Sequence, residues 1–168
     1  MTDPIFTRTT IRKFTDERVS DEDVDRLMRA AMAAPSAGNQ QPWKFVLTRD
    51  TSIKHALTEC SPFAKPAGEA ELVIVPCMDL SQDLRFPEYV PLDMSACVEN
   101  ILVEAVNLGL GAAWLGIYPE RDRMDAVAER IDVPKGFDPF AIIALGHPAE
   151  DFPPRSGKRF DSERVNWQ

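Results

Sequence analysis

The sequence predicts an α+β fold, a mixed sheet of four or five strands flanked by helices. Three observations carry that expectation. Helical and strand-like segments interleave without the regular strand–helix–strand rhythm of a doubly wound sheet. Met94 to Leu108 bears one long apolar stripe, the mark of a helix packed at the centre. A chain of 168 residues with 44% hydrophobic content can also bury a core without disulfides or metal, so residues 1–168 read as a single domain.

Ser20-Asp21-Glu22-Asp23 opens a helix, with Ser20 as N-cap and acidic residues where the amide dipoles favour negative charge. Val24, Leu27, Met28 and Ala31 share one face, and Pro35 stops the element after about Ala34. The loop Pro35 to Pro42 has turn formers and side-chain amides but almost nothing to bury, so its order needs another source. Trp43 to Thr48 alternates as a strand, and Ser52 to Glu59 reads as a short helix. Leu72 to Met78 is a buried strand in which Pro76, lacking an N–H, is expected at an edge or strand end. Asp79 to Leu92 is a polar and aromatic loop and a lid candidate. After the central helix Gly109 is a C-cap, followed by a strand at Ala112 to Gly116. A helix from Glu120 to Ile131 and a buried strand from Phe140 to Leu145 complete the core. Pro153 to Gln168 is rich in proline and charge.

Charge and motifs exclude several functions. The formal net charge of −8 argues against nucleic-acid or anionic-membrane surfaces, since affinity for phosphate backbones comes from Lys and Arg. No apolar run reaches the roughly 20 residues of a membrane span. Three cysteines and no leader-like start point to a reducing cytosol, hence a cytoplasmic protein. Gly109-Leu110-Gly111 starts like a dinucleotide fingerprint, but it follows a helix and leads into a strand, the reverse of the order that sets a pyrophosphate on a helix N-terminus. His55 and His147 lack companions at metal-ligand spacing, and no nucleophile elbow is present. Cys77 and Cys97 read as small core hydrophobes.

Two cationic clusters remain. In Arg8-Thr9-Thr10-Ile11-Arg12-Lys13-Phe14 an extended backbone puts Arg8, Thr10 and Arg12 on one side, where they can face one ligand. A solvated basic stretch is the plain alternative. The tail adds Arg155, Lys158, Arg159 and Arg164.

These segments carry a resemblance. Arg8 to Phe14, Pro35-Ser36-Ala37-Gly38-Asn39-Gln40-Gln41-Pro42-Trp43, Gly109 to Gly116 and Arg159-Phe160-Asp161 are similar, in order and spacing, to the successive motifs of the FMN-dependent nitroreductase family. The chain resembles the family's short members. The resemblance implies a homodimer with FMN at each of two interface sites and a C-terminal extension embracing the partner.

By that resemblance Arg8 meets the FMN phosphate, with Thr10 keeping a hydroxyl and Thr9 standing where arginine is common. A planar, permanent cation suits phosphate oxygens. Arg12 falls by the pyrimidine edge, where it would stabilise the reduced flavin anion. Pro35, Ser36, Ala37 and Asn39 would reach the flavin from the other subunit, with Gln41 near the ring or ribityl chain. Gly116 would face the flavin N5 through its backbone N–H, Leu115 would bind the cofactor beside it, and Lys158 and Arg159 would meet the phosphate. Trp43 and Trp114 are expected to pack. The implied activity is hydride transfer from NADH or NADPH through flavin N5 to nitroaromatic, quinone or similar electron-poor acceptors, in two half-reactions on one open face. A flavin-binding storage or sensor protein, and FMN-dependent dehydrogenation or dehalogenation, are the alternatives.

Overall fold

The computed structural model describes residues 3–81, 83–151, 153 and 159–168. In chain order its elements are α1 (Pro4–Thr7), α2 (Asp21–Met32), β1 (Trp43–Thr48), α3 (Thr51–Leu57), α4 (Pro66–Glu69), β2 (Leu72–Asp79), α5 (Val90–Asn107), β3 (Gly111–Gly116), α6 (Arg121–Ala128), β4 (Phe137–Pro139) and β5 (Ala141–Gly146). The sheet order is β1-β2-β5-β3, with β4 joined to β2, and these strands pair antiparallel. The parallel part of the expected mixed sheet is a single bridge between Thr10 and Ala112.

Local chemistry explains the elements. Ser20 Oγ accepts the Asp23 N–H at 3.0 Å, and Asp21, Glu22 and Asp23 occupy the first turn of α2. That helix ends at Met32, two residues short of the expected Ala34, because helices stop before a proline can clash with the preceding turn. Asp50 caps α3 by accepting the Ser52 and Ile53 N–H groups. Helix α5 starts at Val90, one turn before the expected Met94, since Pro91 falls in the first turn, where its missing N–H would be unpaired anyway. Gly109, at φ 74°, ends it in the left-handed region.

Pro76 departs from expectation. It lies inside β2, opposite Phe45 of β1. Its carbonyl accepts the Phe140 N–H at 2.8 Å, so its ring nitrogen faces the same flank. On that flank β2 pairs with β5 up to Ile74 and with β4 from Cys77. Val75 and Pro76 occupy the junction, and the proline removes no ladder bond.

The core is one contiguous cluster. Met94, Cys97, Val98 and Ile101 of α5 pack in it with Leu27 and Ala31 of α2, beside β5, buried throughout, and β2, buried except at Asp79. No helix among the described residues is long and apolar enough to cross a membrane.

Candidate functional site

The segment from Arg8 to Phe14 runs extended along the outer edge of β3. The Ile11 N–H bonds the Ala112 carbonyl at 3.0 Å, and Ile11 turns inward over Gly111, where an added Cβ would come within 2.7 Å of its side chain. Because the bridge to Ala112 is parallel, the segment and β3 advance together, so Arg12 is carried toward the strand end at Gly116. Further along, the Thr15 N–H donates to the His147 carbonyl and the Ala149 N–H to that of Lys13.

Two cavities lie along this path. The smaller, about 80 Å³, is lined by Arg8, Thr9, Thr10, Arg12 and Arg159. Its makeup, three guanidinia and two hydroxyls, suits a phosphate. Glu99 of α5 holds Arg8 through Nε at 3.0 Å, which leaves the terminal nitrogens of the guanidinium for another partner. The larger cavity, about 530 Å³, is lined by Arg12, Lys13 and Lys65, by Phe63 and Trp114, and ends at Leu115 and Gly116. Roughly 300–1,000 Å³ is the usual size of a small-molecule pocket. Arg12 lines both cavities, and a Cβ at Gly116 would meet nothing within 4 Å. A phosphate-sized cationic hole therefore leads, past one arginine, into an open slot with an unobstructed backbone. The chain's residues fit FMN: the hole has the charge and size for a phosphate, and the slot has room for a planar ring.

Trp114 lines the slot and packs on Phe140, whereas Trp43 lies in the core. Lys13 is bound to Glu150 at 2.6 Å, and that hydrogen bond raises its pKa above the ordinary lysine value.

The loop Pro35 to Gln41 is elsewhere. Pro35, Ser36, Ala37, Asn39 and Gln41 line neither cavity of their own chain. Their order comes from Asp93 and Gln40, two residues that sequence reasoning did not single out. Asp93, 6% exposed, accepts the Ala37 N–H at 2.9 Å and the Gln40 amide at 2.8 Å. Gln40 also donates to the Phe86 carbonyl at 3.0 Å and accepts the Phe86 N–H at 3.2 Å, pairing as a strand neighbour would. Gly38, at φ 57°, lets the loop pass the Phe86 ring, which an added Cβ would approach to 2.7 Å. The 83–89 stretch, part of the lid candidate, is thus fastened to this loop and does not line the slot. A signal for Asp93 was present in its place on the apolar stripe of α5, one turn before Cys97.

Arg159 joins the phosphate-sized cavity, while Lys158 lies outside the described residues. A third cavity, bounded by Phe14, Arg49, Lys54 and Glu71, has its cations engaged already: Lys54 Nζ donates to the Ala70 carbonyl at 2.6 Å, and Arg49 pairs with Glu71 at 2.9 Å. All three cysteines are free and buried, and burial pushes the Cys77 and Cys97 thiols up to about 12. No metal-binding cluster occurs among the described residues.

Sheet, extended edge segment and paired cavities define an α+β protein built to hold a phosphorylated planar cofactor. The model of the nitroreductase family matches residues 5–66 and 60–147, and the chain belongs to that family. It is 38% identical over 164 residues to a proposed NADH dehydrogenase/NAD(P)H nitroreductase of Archaeoglobus fulgidus, covering 96% of this chain and 94% of that protein. An FMN reductase [NAD(P)H] of Bacillus subtilis is 27% identical, with 94% and 69% covered. Among solved structures, a proposed NADH oxidase of Clostridium acetobutylicum superposes with a TM-score of 0.91 at 38% identity, covering 98% of each chain. A proposed nitroreductase of Desulfovibrio desulfuricans in complex with FMN gives 0.74 at 29% identity, covering 94% of each.

Proposed function

We propose that the protein is a cytosolic, FMN-dependent NAD(P)H oxidoreductase, active as a homodimer on nitroaromatic, quinone or similar electron-poor acceptors. One observation carries the reading: Arg12 lines both the cationic hole and the open slot that ends at Gly116. Arg8, Thr9, Thr10 and Arg159 hold the phosphate, with Lys158 as a further tail ligand. Arg12 would lie by the pyrimidine edge of a bound flavin, where a cation that cannot lose its proton would favour the reduced form. Leu115 and Gly116 present backbone to the ring and leave its face open.

The loop bearing Pro35, Ser36, Ala37, Asn39 and Gln41 is turned to the partner's flavin, which agrees with its absence from its own chain's cavities. The tail from 159 to 168, exposed throughout with Trp167 at 94%, covers the partner subunit. FMN bound there would supply the hydride relay between NADH or NADPH and the acceptor, in two half-reactions. For a nitroarene, each two-electron turnover consumes one NAD(P)H and one solvent proton and yields the nitrosoarene, NAD(P)+ and water. This chain's residues bind and orient, so no acid–base pair is needed at the slot.

Purified protein should be yellow and release FMN, not FAD, on denaturation. Mixing with NADH or NADPH without oxygen should bleach the bound flavin rapidly. Released FAD, or failure to bind flavin in excess FMN, overturns the cofactor assignment. A flavin that NAD(P)H does not bleach points to the storage or sensor alternative.

A further inference from the structure

We propose that the slot over Gly116 selects planar aromatic acceptors bearing an anionic substituent, with Phe63 as the stacking surface and Arg123 as the counter-charge. The proposal rests on the flavin-reductase reading above and names the class of acceptor that this site takes.

Arg123 is placed between two residues that line the slot. Its Nη1 donates to the Gly116 carbonyl at 3.4 Å, and its guanidinium carbon lies 5.7 Å from the centre of the Phe63 ring. The guanidinium is therefore at the rim, beside the backbone that faces the flavin. One long hydrogen bond uses little of a group with five N–H donors. Arg123 makes no ion pair among the described residues. Most arginines of this acidic chain do, as Arg8 with Glu99, Arg26 with Glu104, Arg49 with Glu71 and Arg121 with Asp138 illustrate. Besides Arg123, the described arginines left without one are Arg12 and Arg159, which line the phosphate-sized cavity, and Arg85, which lies over Phe86 as Arg123 lies over Phe63. Arg123 is left without an assigned counter-ion, and a partly buried guanidinium at a pocket rim is placed to bind an anion.

The rest of the slot agrees in sign and shape. Arg12, Lys13 and Lys65 line it against a single carboxylate, Glu69. Lys13 is neutralised by Glu150, but Lys65 makes no ion pair among the described residues. Arg12 and Lys65 against Glu69 leave one net positive charge along the slot, which favours anions there. Phe63 is 65% exposed although it borders the slot; Arg123 lies over one face of its ring, and the other face is left for an aromatic ring whose substituent reaches past the ring edge to the guanidinium. An acceptor stacked there would set its anionic group against Arg123 and its reducible group over the flavin.

Binding and turnover can be tested separately on the holoenzyme. Benzoate and its neutral counterpart benzamide, neither reducible, are titrated into oxidised protein while the flavin spectrum is followed. Wild type should bind benzoate about tenfold more tightly, the effect of one charge-assisted hydrogen bond. Arg123→Gln should remove that preference, Arg123→Lys should restore part of it, and Phe63→Ala should weaken both ligands. In the oxidative half-reaction, flavin reduced without NAD(P)H should pass electrons faster to 4-nitrobenzoate than to 4-nitrobenzamide, with the same dependence on Arg123. Equal affinity for benzoate and benzamide overturns the proposal. So does an Arg123→Gln variant that keeps the preference but binds NADPH more weakly, which would assign the arginine to the donor's phosphates. Failure of the underlying reading is seen earlier, as a protein without FMN or a flavin that NAD(P)H does not bleach.

Discussion

Asp93 Oδ2 accepts the side-chain amide of Gln40 at 2.8 Å, joining the centre of the molecule to a loop 53 positions earlier in the chain. The other oxygen of the same carboxylate holds the Ala37 N–H, so one buried acid organises both ends of the turn. Asp93→Ala leaves the half-buried Ala37 N–H without its partner and takes from the Gln40 amide one of its two acceptors, and should lower stability by about 1–3 kcal/mol. FMN affinity should fall with it if, as proposed, the loop serves the partner's flavin. The pair Asp93→Asn with Gln40→Glu re-creates a donor facing an acceptor and should recover part of both losses. Melting temperature and FMN titration report the outcome; an Asp93→Ala protein unchanged in both would detach the loop from the cofactor.

Arg8 and Arg12 should separate binding from electronics. Arg8→Ala should mainly weaken FMN binding, since a hydrogen bond to a charged group contributes about 1.5–3 kcal/mol. Glu99→Gln should act in the same direction but less strongly, through a less firmly held Arg8. Arg12→Ala should retain more flavin and lower its potential, roughly 30 mV for each 1.4 kcal/mol of lost stabilisation of the reduced form. A redox titration showing an unchanged potential would mean that Arg12 is away from the pyrimidine edge.

Gly116 and Gly111 give a matched pair. A Cβ at Gly116 meets open space, so Gly116→Val should leave the apoprotein's melting temperature near wild type while obstructing the ring and reducing FMN binding. Gly111→Ala should destabilise the apoprotein, because its Cβ would fall 2.7 Å from the Ile11 side chain. Calorimetry of the two apoproteins, followed by FMN titration, distinguishes a cofactor surface from a packing surface. Intact FMN binding by Gly116→Val would move the ring elsewhere.

A chain ending at Ala149 should lose dimer stability and FMN affinity together, because the tail carries Arg159 and has little apolar contact within its own subunit. Sedimentation and flavin content measure this. A shortened protein that remains dimeric with full flavin refutes the embrace.

The buried thiols set an alkaline limit. Folded Cys77 and Cys97 keep their protons up to about pH 12, whereas unfolded thiols lose theirs near 9. Above pH 9 the unfolded state therefore binds fewer protons, and stability should fall with rising pH by about 1.4 kcal/mol per pH unit for each thiol. Below pH 9 the two thiols should leave stability flat. Native protein at pH 8 should resist iodoacetamide at both positions, and peptide mapping after unfolding should find them alkylated.

Periodic segments were legible as sequence. Trp43 to Thr48 forms the expected strand, and the apolar faces of α2 and α5 are buried as their spacing requires. Elements that escaped are short or depend on distant partners. The three-residue strand Phe137–Pro139 exists because Cys77, Met78 and Asp79 offer it an edge, and α4 is a single turn. The first turn of α5 was hidden by Pro91, which resembles a breaker until its position in the helix is known.

The sequence by itself determined the alternation of helix and strand, the apolar positions of the core and the family motifs, because these depend on near neighbours along the chain. It also supplied Arg8, Thr10 and Arg12 on one face, since an extended backbone alternates its side chains every second residue. Only the tertiary structure decided that Arg12 lines both cavities, that Arg159 returns from the tail to join Arg8, and that Arg123 stands between Gly116 and Phe63. It alone revealed Asp93 as the anchor of a loop remote in sequence. Such relationships depend on how sheet order and helix packing bring separate segments together, and hydrophobic burial, being non-directional, leaves no local mark of which segments will meet.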